Sequence, residues 1–199
     1  MSVFRWTAPV FKWYARYLRQ EDFRLIAGWL RPYVPPAGVF ADLGGGTGDI
    51  GLGVAEELQA SVVVVDSTAQ MLKRVSAHPS VSVRLASVEA LPFPSAAFDA
   101  VLCCDAFHHF RDQSAAAGEI ARILRPGGGV VILDAEGRGA FRLVLLLERC
   151  LGEPAHLIAA DALAELFAVH GFTGSIDRLT GSSYAFHGRL APSSASTFF

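Results

Sequence analysis

The stretch from Val39 to Gly48, VFADLGGGTG, constrains the fold of this chain more than any other. A short apolar run ends in an acid, Asp42, and then breaks into glycines, the pattern of a strand that stops at a tight turn and feeds a helix. Glycines carry no Cβ, so a ligand placed there can touch backbone N–H groups at the helix N-terminus. The stretch therefore predicts a nucleotide-type cofactor site inside an α/β framework.

Two cofactor classes use such turns. Gly46-Thr47-Gly48-Asp49-Ile50-Gly51 reads G-x-G-x-x-G, and Asp66 ends the next apolar run about twenty residues on, as a dinucleotide fingerprint asks. On that pattern a NAD-dependent oxidoreductase is one reading. The charges favour another. Asp42 at the strand end and Asp49 in the turn lie where a pyrophosphate would have to sit, and two unit charges ~5 Å apart at an effective dielectric of ~20 interact by roughly 3 kcal/mol. Carboxylates there suit a cationic ligand such as S-adenosylmethionine, which has an ammonium, a sulfonium, no phosphate, and ribose hydroxyls for which Asp66 is an acceptor.

With 199 residues, the chain is long enough for one three-layer domain. The formal net charge of −2 argues against a surface that coats nucleic acid as a whole and leaves room for a local basic patch. Three cysteines, Cys103, Cys104 and Cys150, give neither a disulfide framework nor a metal spacing, so a reducing, cytoplasmic setting is expected. No apolar stretch reads as a leader or a membrane span.

From Val39 onward, apolar runs of strand length alternate with helix-period segments, which predicts a parallel sheet with helices on both faces. Strands are expected near residues 39–43, 61–66, 81–85, 100–104 and 130–134, with helices near 50–58, 68–76 and 114–124. Ser67 with Gln70 reads as a capping box for the second of these helices. Further helices are expected at 141–151 and 161–170, then two strands near 172–179 and 184–190 forming an antiparallel hairpin. Residues 1–36 carry aromatic and basic side chains at helical intervals. They read as an amphipathic lid over an apolar substrate, a cover for the sheet, or a surface in peripheral membrane contact. The expected organisation is one domain over residues 1–199, with a core from 37 to 190 and a frayed tail from 191 to 199.

DLGGGTG resembles the first motif of the class I S-adenosylmethionine-dependent methyltransferases, and VVVVD the second. RLASVEALPFP is similar to their G-D-A-E-x-L-P-F segment, with Ser87 where an acid or amide accepts from the adenine amino group. FDAVLCCDAFHHF and EIARILRPGGGVVILD resemble their fourth strand and their fifth helix-turn-strand unit. GGTGDI, TAPVF and LTGSSYAFHGRL are closest to the ubiquinone/menaquinone biosynthesis C-methyltransferase branch, although the stretch between Asp134 and Asp161 is shorter than that branch's substrate-proximal insertion.

The resemblance implies a Rossmann-like methyltransferase fold, with a mostly parallel seven-stranded sheet ending in an antiparallel hairpin, and S-adenosyl-L-methionine as cofactor. It assigns the methionine end to Asp42, Gly44, Gly45, Gly46, Thr47 and Gly48. Asp66, with Ser67 beside it, takes the ribose, and Ser87, Val88 and Cys104 take the adenine side. His108 and Asp105 are the candidate bases, with Tyr184 and His187 behind them. No third ligand spacing accompanies the His108-His109 pair, so no metal is expected. The expected acceptor is a small apolar or aromatic molecule. A protein that binds the cofactor without turnover is a further reading, suggested by Ser87 and the shortened insertion.

Overall fold

The computed structural model describes residues 20–136, 156–179 and 183–192. Helix α1 (Gln20–Leu30) precedes strands β1 (Val39–Leu43), β2 (Ser61–Asp66), β3 (Val81–Leu85), β4 (Phe98–Cys104) and β5 (Leu124–Ala135). Between the strands run α2 (Asp49–Leu58), the one-turn α3 (Ala69–Leu72) and α4 (Gln113–Ile123). After β5, α5 (Ala160–Val169) leads into β6 (Phe172–Arg178) and β7 (Ser183–Leu190). The seven strands lie in the order β3-β2-β1-β4-β5-β7-β6. The first five are parallel, and β7 runs antiparallel to both β5 and β6. This is the sheet that the sequence predicted.

Side chains alternate along a strand, so a sheet covered on both faces needs apolar residues at every position. β4 meets that demand: of Phe98 to Cys104, all but Cys104 are buried. Ala41, Leu43, Val101 and Cys103 face one way, onto Ile120 and Ile123 of α4 and Leu163 and Phe167 of α5. Phe40, Val62, Ala100 and Leu102 face the other way, onto Ile26 and Leu30 of α1 and Val54 and Leu58 of α2. α1 therefore covers the sheet, as one of the sequence readings had it. Residues 1–19 and the helix expected at 141–151 lie outside the described residues.

Three local expectations change. The helix expected over 68–76 is only Ala69–Leu72, continued by the tighter bonds Arg74 N to Met71 O (2.9 Å) and Val75 N to Leu72 O (3.2 Å). Its N-cap is Thr68, with no side-chain cap bond, so the Ser67–Gln70 capping box does not form. β5 begins at Leu124 rather than Val130, because Phe98 pairs with Leu124 before a register shift brings Ala100 opposite Gly129. Arg125 to Gly128 fill that irregularity, with Gly127 at φ 81°.

Candidate active site

In an open parallel sheet, ligands bind beyond the carboxyl ends of the strands. A cavity of about 470 Å³ lies there, within the range of small-molecule sites. Its wall is made by Cys104 to Ala106 after β4, Gly44 to Thr47 after β1, Asp66 to Thr68 after β2, and Ala86 to Glu89 after β3. These four strands are consecutive in the sheet. Three inter-strand spacings amount to roughly 14 Å, so the cavity suits an elongated ligand laid across the strand ends.

The glycine turn is built for close approach. Gly44 has φ 70°, and a Cβ on it would stand 2.5 Å from the Ala106 Cβ, so the β1 and β4 loops meet only because that atom is absent. Gly44 N and Gly45 N donate to Val65 O at 2.8 and 3.2 Å, tying the turn to β2. Asp66 then accepts from Gly46 N (3.1 Å) and Thr68 N (2.7 Å) and stands at the middle of the cavity wall. Burial pushes its carboxyl above the ordinary range, against those two N–H groups and the His109 charge. Gly48, expected among the ligand contacts, does not line the cavity; it is the N-cap of α2, at φ 75°.

Asp42 also departs from its expected place. It is 1% exposed, lies outside the cavity wall and sits beneath the turn, where a Cβ on either Gly45 or Gly51 would come within 2.5 Å of its Oδ2. Gly51 belongs to the first turn of α2, whose N–H groups have no intrahelical acceptors. The carboxyl thus addresses the positive end of that helix from below. Its Oδ2 makes no hydrogen bond, and burial, reinforced by the Asp66 charge, raises the group to about 7, with the Gly51 N–H pulling the other way. Toward a ligand, Asp42 acts through the turn it supports and through its charge. Asp49 does reach the cavity and accepts a hydrogen bond from the Thr47 hydroxyl.

The histidine pair divides between core and cavity. His108 is 2% exposed and absent from the cavity wall. Its Nδ1 lies 2.7 Å from Asp134 Oδ1 and its backbone N donates to Asp134 Oδ2 at 3.0 Å. His109 is the one that faces the cavity, its ring 4.0 Å from that of His108. The assignment of His108 as the group meeting the acceptor is therefore corrected to a buried supporting place. The strand-end geometry that turns one ring inward and its neighbour outward is not visible in the dipeptide.

Asp105 lines the cavity at φ 50°, a left-handed backbone that non-glycine residues seldom adopt and that marks functional sites. Although the residue itself is exposed, desolvation by the packed atoms behind it pushes its carboxyl up. His108 opposes this shift, Asp134 adds to it, and His109 opposes it again. Asp105, His108 and Asp134 place one polar atom each within 4.8 Å of one another. Asp134 is the third group that sequence spacing did not show. Its oxygens already accept three N–H groups, from His108 twice and from Ala135 at 2.7 Å, so the cluster is a hydrogen-bonded support rather than a cage for a cation.

Cys104 lines the cavity, but at the end of β4 it is separated by β1 and β2 from Ser87 and Val88, with which the sequence reading grouped it. Burial raises its thiol well above the ordinary range, so it is an unreactive wall. Tyr184 is buried, donating to Ile158 O at 3.1 Å, and His187 stacks on Trp29 and pairs with Asp177 at 3.2 Å. Neither lines the cavity.

On the β3 side, Ser87 and Val88 line the cavity as expected. Sequence reasoning missed Glu89 and Arg111 beside them, and Phe110, which stands near Gly44 and Phe107. Glu89 was visible as the acid of the V-E-A-L-P-F run. Phe110 and Arg111 carried no signal of their own.

A sequence-family profile described as "Methyltransferase domain" matches residues 41–132, the span that holds the end of β1, the glycine turn, β2 to β4 and most of β5. The chain is 34% identical over 174 residues to the demethylmenaquinone methyltransferase of Thermus thermophilus, covering 73% of this chain and 79% of that protein. Other curated relatives share the core only, and the chain spans less than half their length. Among solved structures, the putative methyltransferase in a complex with the Haloferax volcanii Trm112 methyltransferase activator superposes with a TM-score of 0.79 at 15% identity, over 96% of this chain and 99% of that one. A geranyl diphosphate methyltransferase in complex with SAM superposes with a TM-score of 0.73 at 14% identity, over 88% and 87% of the two chains. These likenesses accompany a seven-stranded sheet with a cavity across its strand ends, and the chain belongs to the class I S-adenosylmethionine-dependent methyltransferases.

Proposed function

We propose that the protein transfers the methyl group of S-adenosylmethionine to a small apolar or aromatic acceptor, a reduced quinone precursor or related phenol. The observation that carries the cofactor half is the Asp66 carboxylate, fixed by Gly46 N and Thr68 N at the middle of a cavity running across four strand ends. A paired acceptor there suits a ribose diol, and the Asp49 carboxylate in the cavity wall disfavours a pyrophosphate while favouring an ammonium and a sulfonium. The acceptor half rests on the Thermus relative's name and on the apolar wall that Cys104, Ala106 and Phe110 present.

The cofactor supplies an activated methyl on a sulfonium, so the protein's own work is alignment, exclusion of water and removal of a proton. The Gly44 to Thr47 turn and Asp66 hold the donor against the strand ends. Asp105 stands at the β4 end of the same wall and is the group assigned to take the acceptor's proton. A carboxyl shifted upward is a stronger base than a free one, and the exposed Asp105 side chain is open to an acceptor. His108, locked by Asp134, fixes the charge environment behind it.

The test is transfer of labelled methyl from S-adenosylmethionine to a panel of reduced naphthoquinones, benzoquinones and phenols. Transfer to at least one, reduced about a hundredfold or more in Asp105→Asn with S-adenosylhomocysteine affinity retained, is the expected result. Turnover unaffected by Asp105→Asn contradicts the assignment of the base.

A further inference from the structure

Two neighbouring strands, β4 and β5, each carry an acid at the carboxyl end. Asp105 N donates to Leu133 O at 2.8 Å, which carries the β4–β5 ladder on from the Cys104–Leu133 pair and brings Asp105 beside Asp134. Asp105 is exposed and lines the cavity, whereas Asp134 is buried. Resting on the methyl-transfer reading above, we propose that His108 and Asp134 are positioning residues for proton transfer at Asp105, a buried pair of opposite charge that acts on the base in two opposed senses.

Asp134 accepts from His108 Nδ1 at 2.7 Å, from His108 N at 3.0 Å and from Ala135 N at 2.7 Å. A carboxylate offers lone pairs only, so Nδ1 is the donor and the ring is fixed. One polar atom each of Asp105, His108 and Asp134 lies within 4.8 Å of the others, close enough for each charge to act on Asp105. The imidazole favours its ionised form and the Asp134 carboxylate disfavours it. His109, on the cavity side, acts in the same sense as His108. The remaining neighbours play other parts. Burial and the nearby acids keep Cys103 and Cys104 on β4, and Tyr184 opposite Asp134 on β7, protonated. Asp42 on β1 acts on the two thiols, and Glu136 beyond β5 is paired with Arg178 at 2.7 Å. In turnover, the acceptor's O–H bond breaks, the proton forms an O–H bond on Asp105, and the electron pair left on the acceptor takes the methyl as the carbon–sulfur bond breaks. Asp105 loses its charge in that step, which relieves its opposition to Asp134 and gives up its attraction to His108. The pair thus balances a base that is ionised before the step against one that accepts the proton readily.

The experiment is a carbon-13 NMR titration of the Asp105 carboxyl, identified by its loss in Asp105→Asn, in the intact protein, His108→Gln and Asp134→Asn. His108→Gln is expected to move the titration midpoint up by roughly one pH unit or more, and Asp134→Asn to move it down by a similar amount. The acid limb of kcat/KM for methyl transfer to the reduced quinones and phenols above follows each displacement. Midpoints that stay in place, or that move in the same direction, belong to a merely structural pair and overturn the proposal. Should a buried substitution fail to fold, the same coupling is read from the cavity side, since linkage is reciprocal. Asp105→Asn then lowers the pH at which the His108 ring titrates, and an unchanged ring titration overturns the proposal. Methyl transfer that depends on Asp105 with the midpoints unmoved overturns the pair alone and leaves the functional reading standing. The expected displacements with no transfer to any acceptor overturn that reading and, with it, the role given to the pair.

Discussion

Asp42 is poised near half-ionisation at neutral pH, since burial and the Asp66 charge lift it to about 7 from a reference of 3.8. The linkage has a definite sign. Between about 4 and 7 the unfolded chain releases this proton while the folded chain keeps it, so stability falls as pH rises through that window and no penalty remains below it. Asp42→Asn keeps the shape and removes the charge. The variant is expected to be more stable than the parent at pH 8, by at most about 4 kcal/mol on a three-unit shift, and to lose that advantage near pH 4. Urea unfolding at the two pH values measures it, and an advantage independent of pH would contradict the assignment. Asp42, Gly45 and Gly51 form one unit: the two glycines make room for the carboxyl, and the carboxyl steadies the turn that meets the ligand.

At the scale of elements, the segment after β3 is held by α4. Arg122 donates from Nε and Nη2 to both oxygens of Glu119 at 2.6 and 2.8 Å, and reaches Phe93 O at 2.7 Å and Leu91 O at 3.0 Å. Glu119 in turn accepts from Leu91 N at 2.8 Å. This fork locks residues 91–93, which continue directly from the 86–89 cavity wall. Arg122→Met keeps the aliphatic stem and removes the fork. It is expected to cost about 1–3 kcal/mol of stability and to speed amide exchange across 87–93 while leaving β1 and β2 protected. Uniform exchange across the sheet would contradict a local clamp.

The sequence-to-structure relation also belongs to this scale. The bounds of β1 and β2 were legible because each is an apolar run closed by glycine or acid, as a buried parallel strand requires, whereas β3, VSVRL at the sheet edge, was legible from its alternation of apolar and polar residues. The start of β5 was not legible, because Leu124 becomes strand only by pairing with Phe98 on another element. Likewise, the Ser67–Gln70 pair had the spacing of a cap, yet Asp66 Oδ1 took the Thr68 N–H first. At the site, Asp66 and the glycines could be read in advance since their roles are backbone roles. Which histidine enters the core could not, because Asp134, 26 residues away, decides it.

At the scale of the whole molecule, the two layers of helices and the sheet between them serve to bring four loops into one row. Those loops come from parts of the chain up to about sixty residues apart, so they meet, and the site exists, only when β3, β2, β1 and β4 stand side by side. Among the described residues no helix is long and apolar enough to cross a membrane. α1 lines no part of the cavity, so the lid expected of residues 1–36 is not made by its described part. The central claim is that this row of loops holds an adenosyl sulfonium cofactor through Asp66 and rejects a dinucleotide. Calorimetric titration of the protein and of Asp66→Asn with S-adenosylhomocysteine and with NAD tests it most directly. The account predicts binding of S-adenosylhomocysteine, weakened tenfold or more in the variant, and no binding of NAD. Binding of NAD at comparable strength, or S-adenosylhomocysteine binding indifferent to Asp66, would contradict it.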